Sequence, residues 1–241
     1  MAAPSAESEE ATYERCMRLA KTDPAGARDM AEKWHAHGGA HPSDHCYAVA
    51  LIGLRQYKAA AERLDKLAAA MINSAPNSLR AEVLDQAGQA WLLSGDATRA
   101  YNDAGAAVAL APGDPDLLID RAEAAGQAGW YDKAVADLDA VLKADPRRPE
   151  ALIYRATAYR NLKRLDLALA DADSAVRLAP DSAQAVLERG NIRGLRGDID
   201  GARQDWLAAA GLAPGSAAAL AAKSNLAHLS ETQKKPPAAR K

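Results

Sequence analysis

The sequence predicts an all-α solenoid of about six helix–turn–helix repeats followed by a C-terminal capping helix. Three observations carry that expectation. Pro112, Pro146, Pro180 and Pro214 follow one another at intervals of 34 residues, and the segments leading into them agree: VALAP, LKADP, VRLAP and AGLAP. Counted as units 81–114, 115–148, 149–182 and 183–216, the eighth place is always small (Gly88, Ala122, Ala156, Gly190) and the twentieth is always Ala (Ala100, Ala134, Ala168, Ala202). The fourth place is always aliphatic: Leu84, Leu118, Leu152 and Val186. Finally, the 241 residues include no Phe and only 5% aromatics, against abundant Ala. A chain so poor in large side chains must bring its helices close together over small ones, and a fixed period longer than one helix is the mark of stacked hairpins.

Each recurring place has a physical reason. Small residues at places 8 and 20 let the two helices of one unit, A and B, cross closely. Pro at place 32 cannot continue helix B and turns the residue before it away from αR. Place 15 is Gly95, Gly129 and Gly197, suited to a left-handed residue that ends helix A, with Lys163 the exception. These residues resemble the tetratricopeptide repeat (TPR) family, whose 34-residue unit has small residues at places 8 and 20 and Pro at place 32. The resemblance covers 81–216. It implies a right-handed superhelix with a concave face lined mainly by helices A.

Two degraded units are expected in 11–80. In 41–74, Pro42 can open helix A, Ala48 takes place 8, and YKAAAERL supplies Tyr57, Ala60 and Leu64. Six extra residues, APNSLR (75–80), separate this unit from the regular array and are expected to loosen the junction. Segment 8–40 reads as an atypical first repeat, with an amphipathic stretch through Leu19, a break at Thr22-Asp23-Pro24 and a second helix to about Trp34. Residues 1–10 are expected to be disordered, and 217–230 to form the capping helix over the last repeat. The remainder, 231–241 (ETQKKPPAARK), is polar, basic and broken by proline, so a disordered tail is expected.

Charge is patterned as well. Place 7 is Arg121, Arg155 and Arg189, and place 23 is Asp103, Asp137, Asp171 and Asp205. This interleaving predicts a ladder of ion pairs tying helix A of one unit to a neighbouring helix B. Overall the charges nearly cancel (30 basic, 32 acidic), which leaves no electrostatic footprint for nucleic acid. No apolar run approaches the roughly 18–20 residues that span a bilayer, so membrane insertion is not expected.

The family resemblance implies groove-facing positions at places 2, 5, 6, 9, 12 and 13. Carried over place by place, these are Asp85, Gln86 and Gln89, then Asp116, Asp120, Glu123 and Gln127. The third unit gives Tyr154, Thr157, Arg160 and Asn161, and the fourth Gln184, Glu188 and Asn191. The implied function is a non-catalytic scaffold that holds a protein or peptide in this polar, acid-leaning groove. The carboxylate clamp by which some relatives hold chaperone tails needs Lys, Asn and Arg where this chain has Gln86, Gln89, Asp120 and Glu123. Such a clamp is therefore not expected. No nucleophile motif, phosphate-cradling Gly loop or cofactor motif is present, so neither an enzyme nor a cofactor is expected. Arg196-Gly197-Asp198 aligns with the turn Ser94-Gly95-Asp96 and reads as an A–B turn.

Two features stand outside the period. Cys16 lies at place 9 of the first helix A and Cys46 at place 6 of the second, one turn apart on one stripe. Adjacent helices about 8–10 Å apart bring such Cα atoms to about 4–6 Å, within disulfide reach. A Cys16–Cys46 disulfide is expected, closing a loop of 30 residues and contributing about 3–4 kcal/mol. Two buried free thiols are the alternative. The stretch HAHGGAHPSDHC (35–46) holds His35, His37, His41 and His45. It reads as a repeat connector, with His41 before Pro42 and outside the helix; the alternative is a zinc or copper site in a periplasmic metal-binding protein. A third reading is self-assembly through open repeat ends. The layout of the first 60 or so residues resembles exported Ala-rich TPR proteins of Gram-negative bacteria, and the start MAAPSAESEE resembles a mature chain after signal removal. A periplasmic location is expected, with the cytoplasm as alternative.

Overall fold

The computed structural model of the chain describes residues 8–234. The described residues form thirteen α-helices and no strand. They divide into two compact units, Met1–Ala128 and Gly129–Lys241. The irregular segment 11–80 and the first regular repeat thus share one unit.

The first unit holds α1 (Glu9–Thr22), α2 (Pro24–Ala36), α3 (Ala40–Gly53), α4 (Tyr57–Ala70), α5 (Asn77–Ser94), α6 (Ala97–Leu110) and α7 (Pro115–Gln127). Its helix starts are written locally. The Ser8 side chain accepts from the Ala11 N–H, Asp23 from Gly26, Asp96 from Arg99 and Asp114 from Asp116. Each satisfies a first-turn N–H that has no partner within the helix. Helix α1 begins at Glu9, inside the stretch 1–10 for which disorder was expected, because Ser8 caps it and Glu9 and Glu10 suit its positive end. Residues 1–7 lie outside the described residues.

Two further expectations for this unit are corrected. The insertion 75–80 does not loosen the junction. Asn77–Arg80 add a turn to α5, Arg80 donates to the Ala68 carbonyl (3.1 Å), and Leu67, Ala68 and Met71 pack with Ala81, Val83 and Leu84 in one core. His41 is not outside the helix either, since α3 starts at Ala40. Pro42 then falls in the first turn, where its missing N–H is not needed.

The second unit holds α8 (Tyr131–Ala144), α9 (Pro149–Asn161), α10 (Leu165–Leu178), α11 (Ala183–Leu195), α12 (Ile199–Leu212) and α13 (Ala217–Lys234). Close approach explains its small residues: a Cβ on Gly190 would come within 2.9 Å of the Trp206 ring on α12. The charge ladder forms here. Arg155 on α9 grips Asp171 on α10 through Nε and Nη2 (2.8 Å each) and reaches Asp139 on α8 through Nη1 (2.7 Å). Arg189 on α11 repeats the grip one unit later, on Asp205 of α12 (3.0 and 2.6 Å), with Asp173 of α10 at 3.5 Å. Each Arg thus joins place 23 of its own repeat to place 25 of the preceding one. Helix α13 continues to Lys234, past the expected end at 230, because no helix breaker precedes Pro236. Residues 235–241 of the expected tail lie outside the described residues.

Candidate functional site

In Met1–Ala128 the A helices α1, α3 and α5 are joined by one hydrogen-bonded line. The Tyr13 hydroxyl meets His45 Nδ1 at 2.7 Å, and His45 Nε2 meets Gln86 Oε1 at 2.7 Å. The Tyr13 and His45 rings stack with centroids 5.9 Å apart. This line crosses an open cavity of about 620 Å³. Its apolar lining includes Met17, Leu67, Met71, Leu79 and Val83, and its acidic residues are Glu9, Glu10 and Glu82. Met71 and Val83 are buried, whereas Leu79, in the extra turn of α5, is 46% exposed. Burial, with a smaller contribution from the Glu82 charge, pushes the Tyr13 phenol up.

Beside the cavity lie further groove positions read from the sequence. Gln89 Nε2 donates to Asp85 (2.8 Å), whose carboxyl meets that of Asp120 on α7. Burial, followed by the Asp120 charge and hydrogen bond, pushes Asp85 up to about 7. Burial raises Asp120 as well. Both shifts favour one proton shared between the two carboxyls. Glu123 accepts from Gln127 (3.2 Å), and Asp116 is exposed in the first turn of α7.

In Gly129–Lys241 the predicted positions mostly bond to one another. Arg160 pairs with Glu188 through Nε (2.6 Å), and Glu188 is only 6% exposed. Asn191 Oδ1 accepts from Trp206 Nε1 (3.0 Å) and from Asn225 on α13 (2.8 Å). Asn161 donates to the Thr157 carbonyl (2.8 Å), and Tyr154 is half-buried. Gln184 is exposed at a shallow opening of about 300 Å³. Arg160 and Glu188, both read from the sequence as groove-facing, thus satisfy each other.

The four histidines of 35–46 do not converge. His35 Nδ1 meets Ser43 Oγ (3.1 Å), His37 Nδ1 meets the Lys33 carbonyl (2.6 Å) and His41 Nε2 meets Ser74 Oγ (3.1 Å). His45 belongs to the line with Tyr13 and Gln86. Cys46 is bonded to Cys16, with Cα atoms 6.1 Å apart in a core that includes Ala31. Among the described residues no three His, Cys, Asp or Glu side chains gather to hold a metal ion. No helix of the described residues is long and apolar enough to cross a membrane.

Of the residues around the cavity, the sequence points only to Gln86 as a groove contact and to His41 and His45 in another role. Tyr13, Met17, Glu82 and Leu79 were missed. Signals existed for two of them: Glu82 stands at place 2 of the first regular unit, and counting 8–40 in the same places puts Tyr13 at place 6, on the stripe of Gln86. Leu79 lies in the insertion, which has no place number.

A family model described as Tetratricopeptide repeat matches residues 119–183 and 168–217. No curated protein matches the sequence significantly. Among solved structures, TTC0263, a thermophilic TPR protein of Thermus thermophilus, is similar over 78% of this chain and 98% of its own, at 20% identity and a TM-score of 0.61. YrrB, a TPR protein with an unusual peptide-binding site, is similar over 90% of this chain and all of its own (100%), at 18% identity and a TM-score of 0.55. MamA of Desulfovibrio magneticus RS-1, from its residue 41 to its end, is similar over 88% of this chain and 98% of its own, at 18% identity and a TM-score of 0.54. At such identities the likeness is one of fold.

Proposed function

We propose that this chain, being a tetratricopeptide-repeat protein, is a scaffold that docks a partner polypeptide without catalysing a reaction on it. The observation that carries the reading is the cavity of about 620 Å³ on the A helices α1, α3 and α5, with an apolar floor and an exposed Leu79 at its edge. Concave sites of roughly 300–1,000 Å³ with a few placed polar groups are the usual form of a binding pocket. The precedent of YrrB, described by its peptide-binding site, supports the same reading. A photo-crosslinking amino acid placed at Leu79 in the native host tests it. A discrete crosslinked partner is expected there, and none from the same probe at exposed Asp200; equal crosslinking at both positions, or none at Leu79, would sink the reading.

The Cys16–Cys46 bond supports an oxidising compartment, and the periplasm is the location we propose. Alkylation of intact cells followed by reduction should leave both cysteines unmodified by the first reagent. Labelling of both in that first step would place the chain in a reducing compartment.

A further inference from the structure

We propose that the cavity on α1, α3 and α5 takes a basic peptide segment, seating an apolar side chain on its floor and Lys or Arg side chains against Glu9, Glu10 and Glu82. The proposal rests on the docking reading and adds the chemistry of the occupant. Charge complementarity argues for it. The three carboxylates come from two helices, Glu9 and Glu10 from α1 and Glu82 from α5, yet line one cavity. Among the described residues none of the three is in an ion pair, and no Lys or Arg lines the cavity. The positive end of α1 carries about half a charge and does not balance them.

A neutral His45 adds no counter-charge and can still satisfy both ring nitrogens. With Gln86 Oε1 as acceptor, Nε2–H donates to it, and Nδ1 accepts from the Tyr13 hydroxyl. That arrangement is a neutral imidazole with both nitrogens satisfied. It also turns the Tyr13 proton away, leaving the phenol oxygen able to accept from a peptide N–H. The apolar floor is equally specific: Met17 and Met71 can adapt to the shape of the inserted side chain. An acidic segment would be repelled at this mouth, and a purely apolar one would leave three carboxylates facing it.

Fluorescence anisotropy of the full chain with two labelled twelve-residue probes, one alternating Leu and Arg and one alternating Leu and Glu, tests the proposal. The Leu–Arg probe should bind and weaken steeply with salt, while the Leu–Glu probe should not bind. Replacing the three cavity acids (Glu9→Gln, Glu10→Gln, Glu82→Gln) should weaken the Leu–Arg probe about tenfold. Neutralising three exposed acids elsewhere (Asp181→Asn, Asp200→Asn, Glu231→Gln) should change it less than about twofold. Equal losses in the two triple variants, or equal binding of both probes, would overturn the proposal. If only the Leu–Glu probe binds and Leu79→Arg abolishes it, docking stands and the charge assignment falls. If Leu79→Arg affects neither probe, both fall. Concentration-dependent dimers that dissociate on Leu79→Arg would put a second copy in the cavity and likewise overturn the proposal.

Discussion

The same two places of the repeat do opposite things in the two units. In Gly129–Lys241, Arg155 and Arg189 at place 7 sit between two aspartates each and grip both Asp171 and Asp205 with two hydrogen bonds. In Met1–Ala128, the first regular repeat has Ala87 at place 7, and the two aspartates that would flank an Arg, Asp103 and Asp65, meet each other instead. Burial, followed by the charge and hydrogen bond of Asp65, pushes Asp103 up to about 7. Trp91 at place 11 is buried beside them and donates to Asp65 through Nε1 (3.2 Å). One unit earlier the chemistry changes again: place 7 is Tyr47 and place 23 is Arg63, whose guanidinium lies 3.9 Å from the centre of the Tyr47 ring. The backbone period is indifferent to what fills this rung. The side chains decide whether it is a charge-assisted clamp, a cation on a ring or a shared proton.

The largest expected effect breaks the clamp. Arg155→Ala leaves the largely buried Asp171 without its partner and should destabilise α9 and α10 by about 2–3 kcal/mol, read as lost amide protection in hydrogen exchange. Asp103→Ala should cost the first unit far less. If the two variants lose equal protection, the contrast between the rungs is wrong.

Next comes the pH response. The folded-state values of Asp85 and Asp103 are raised above that of a free aspartate, so the stability they contribute is complete below about 4 and is lost as pH rises through about 7. Both pairs are only partly buried, which limits the loss to about 1 kcal/mol per pair. Protection factors of α4–α6 should therefore fall between pH 5 and pH 8 while those of α9–α12 hold. Asp103→Asn, which keeps a donor facing Asp65, should remove about half of that fall. An identical pH response of the two units would refute the assignment.

The smallest effect concerns the turn that ends helix A. In the five repeats of 41–216 place 15 is left-handed, filled by Gly95 (φ 89°), Gly129 (φ 78°) and Gly197 (φ 87°) but also by Lys163 (φ 63°) and Arg55 (φ 58°). A side chain there costs about 1 kcal/mol, so Lys163→Gly should raise the stability of α9 and α10 by roughly that amount. No gain in protection would mean that the lysine turn is not strained.

What could be read in advance follows from the period. The all-α repeat fold and the Arg–Asp ladder of the second unit were legible because place numbers carry them. The Asp65–Asp103 meeting was not, because the insertion at 75–80 interrupts the 34-residue count between the two repeats that carry them. Arg160 and Glu188 were assigned to the groove by their places, while their pairing was not foreseen: two opposite charges on adjacent A helices satisfy each other. The cavity was hidden for a related reason. It depends on one added turn of α5 and on α1, the two parts of the chain with least family pattern.

The link between Cys16 and Cys46 gives the chain a direction. A linear array whose repeats touch only their neighbours melts inward from its ends, and either terminus is ordinarily free to start. Here α1 is covalently closed onto α3 across α2, so the leading end cannot peel off one helix at a time. Loss of structure from that end must therefore take α1, α2 and α3 together as one step.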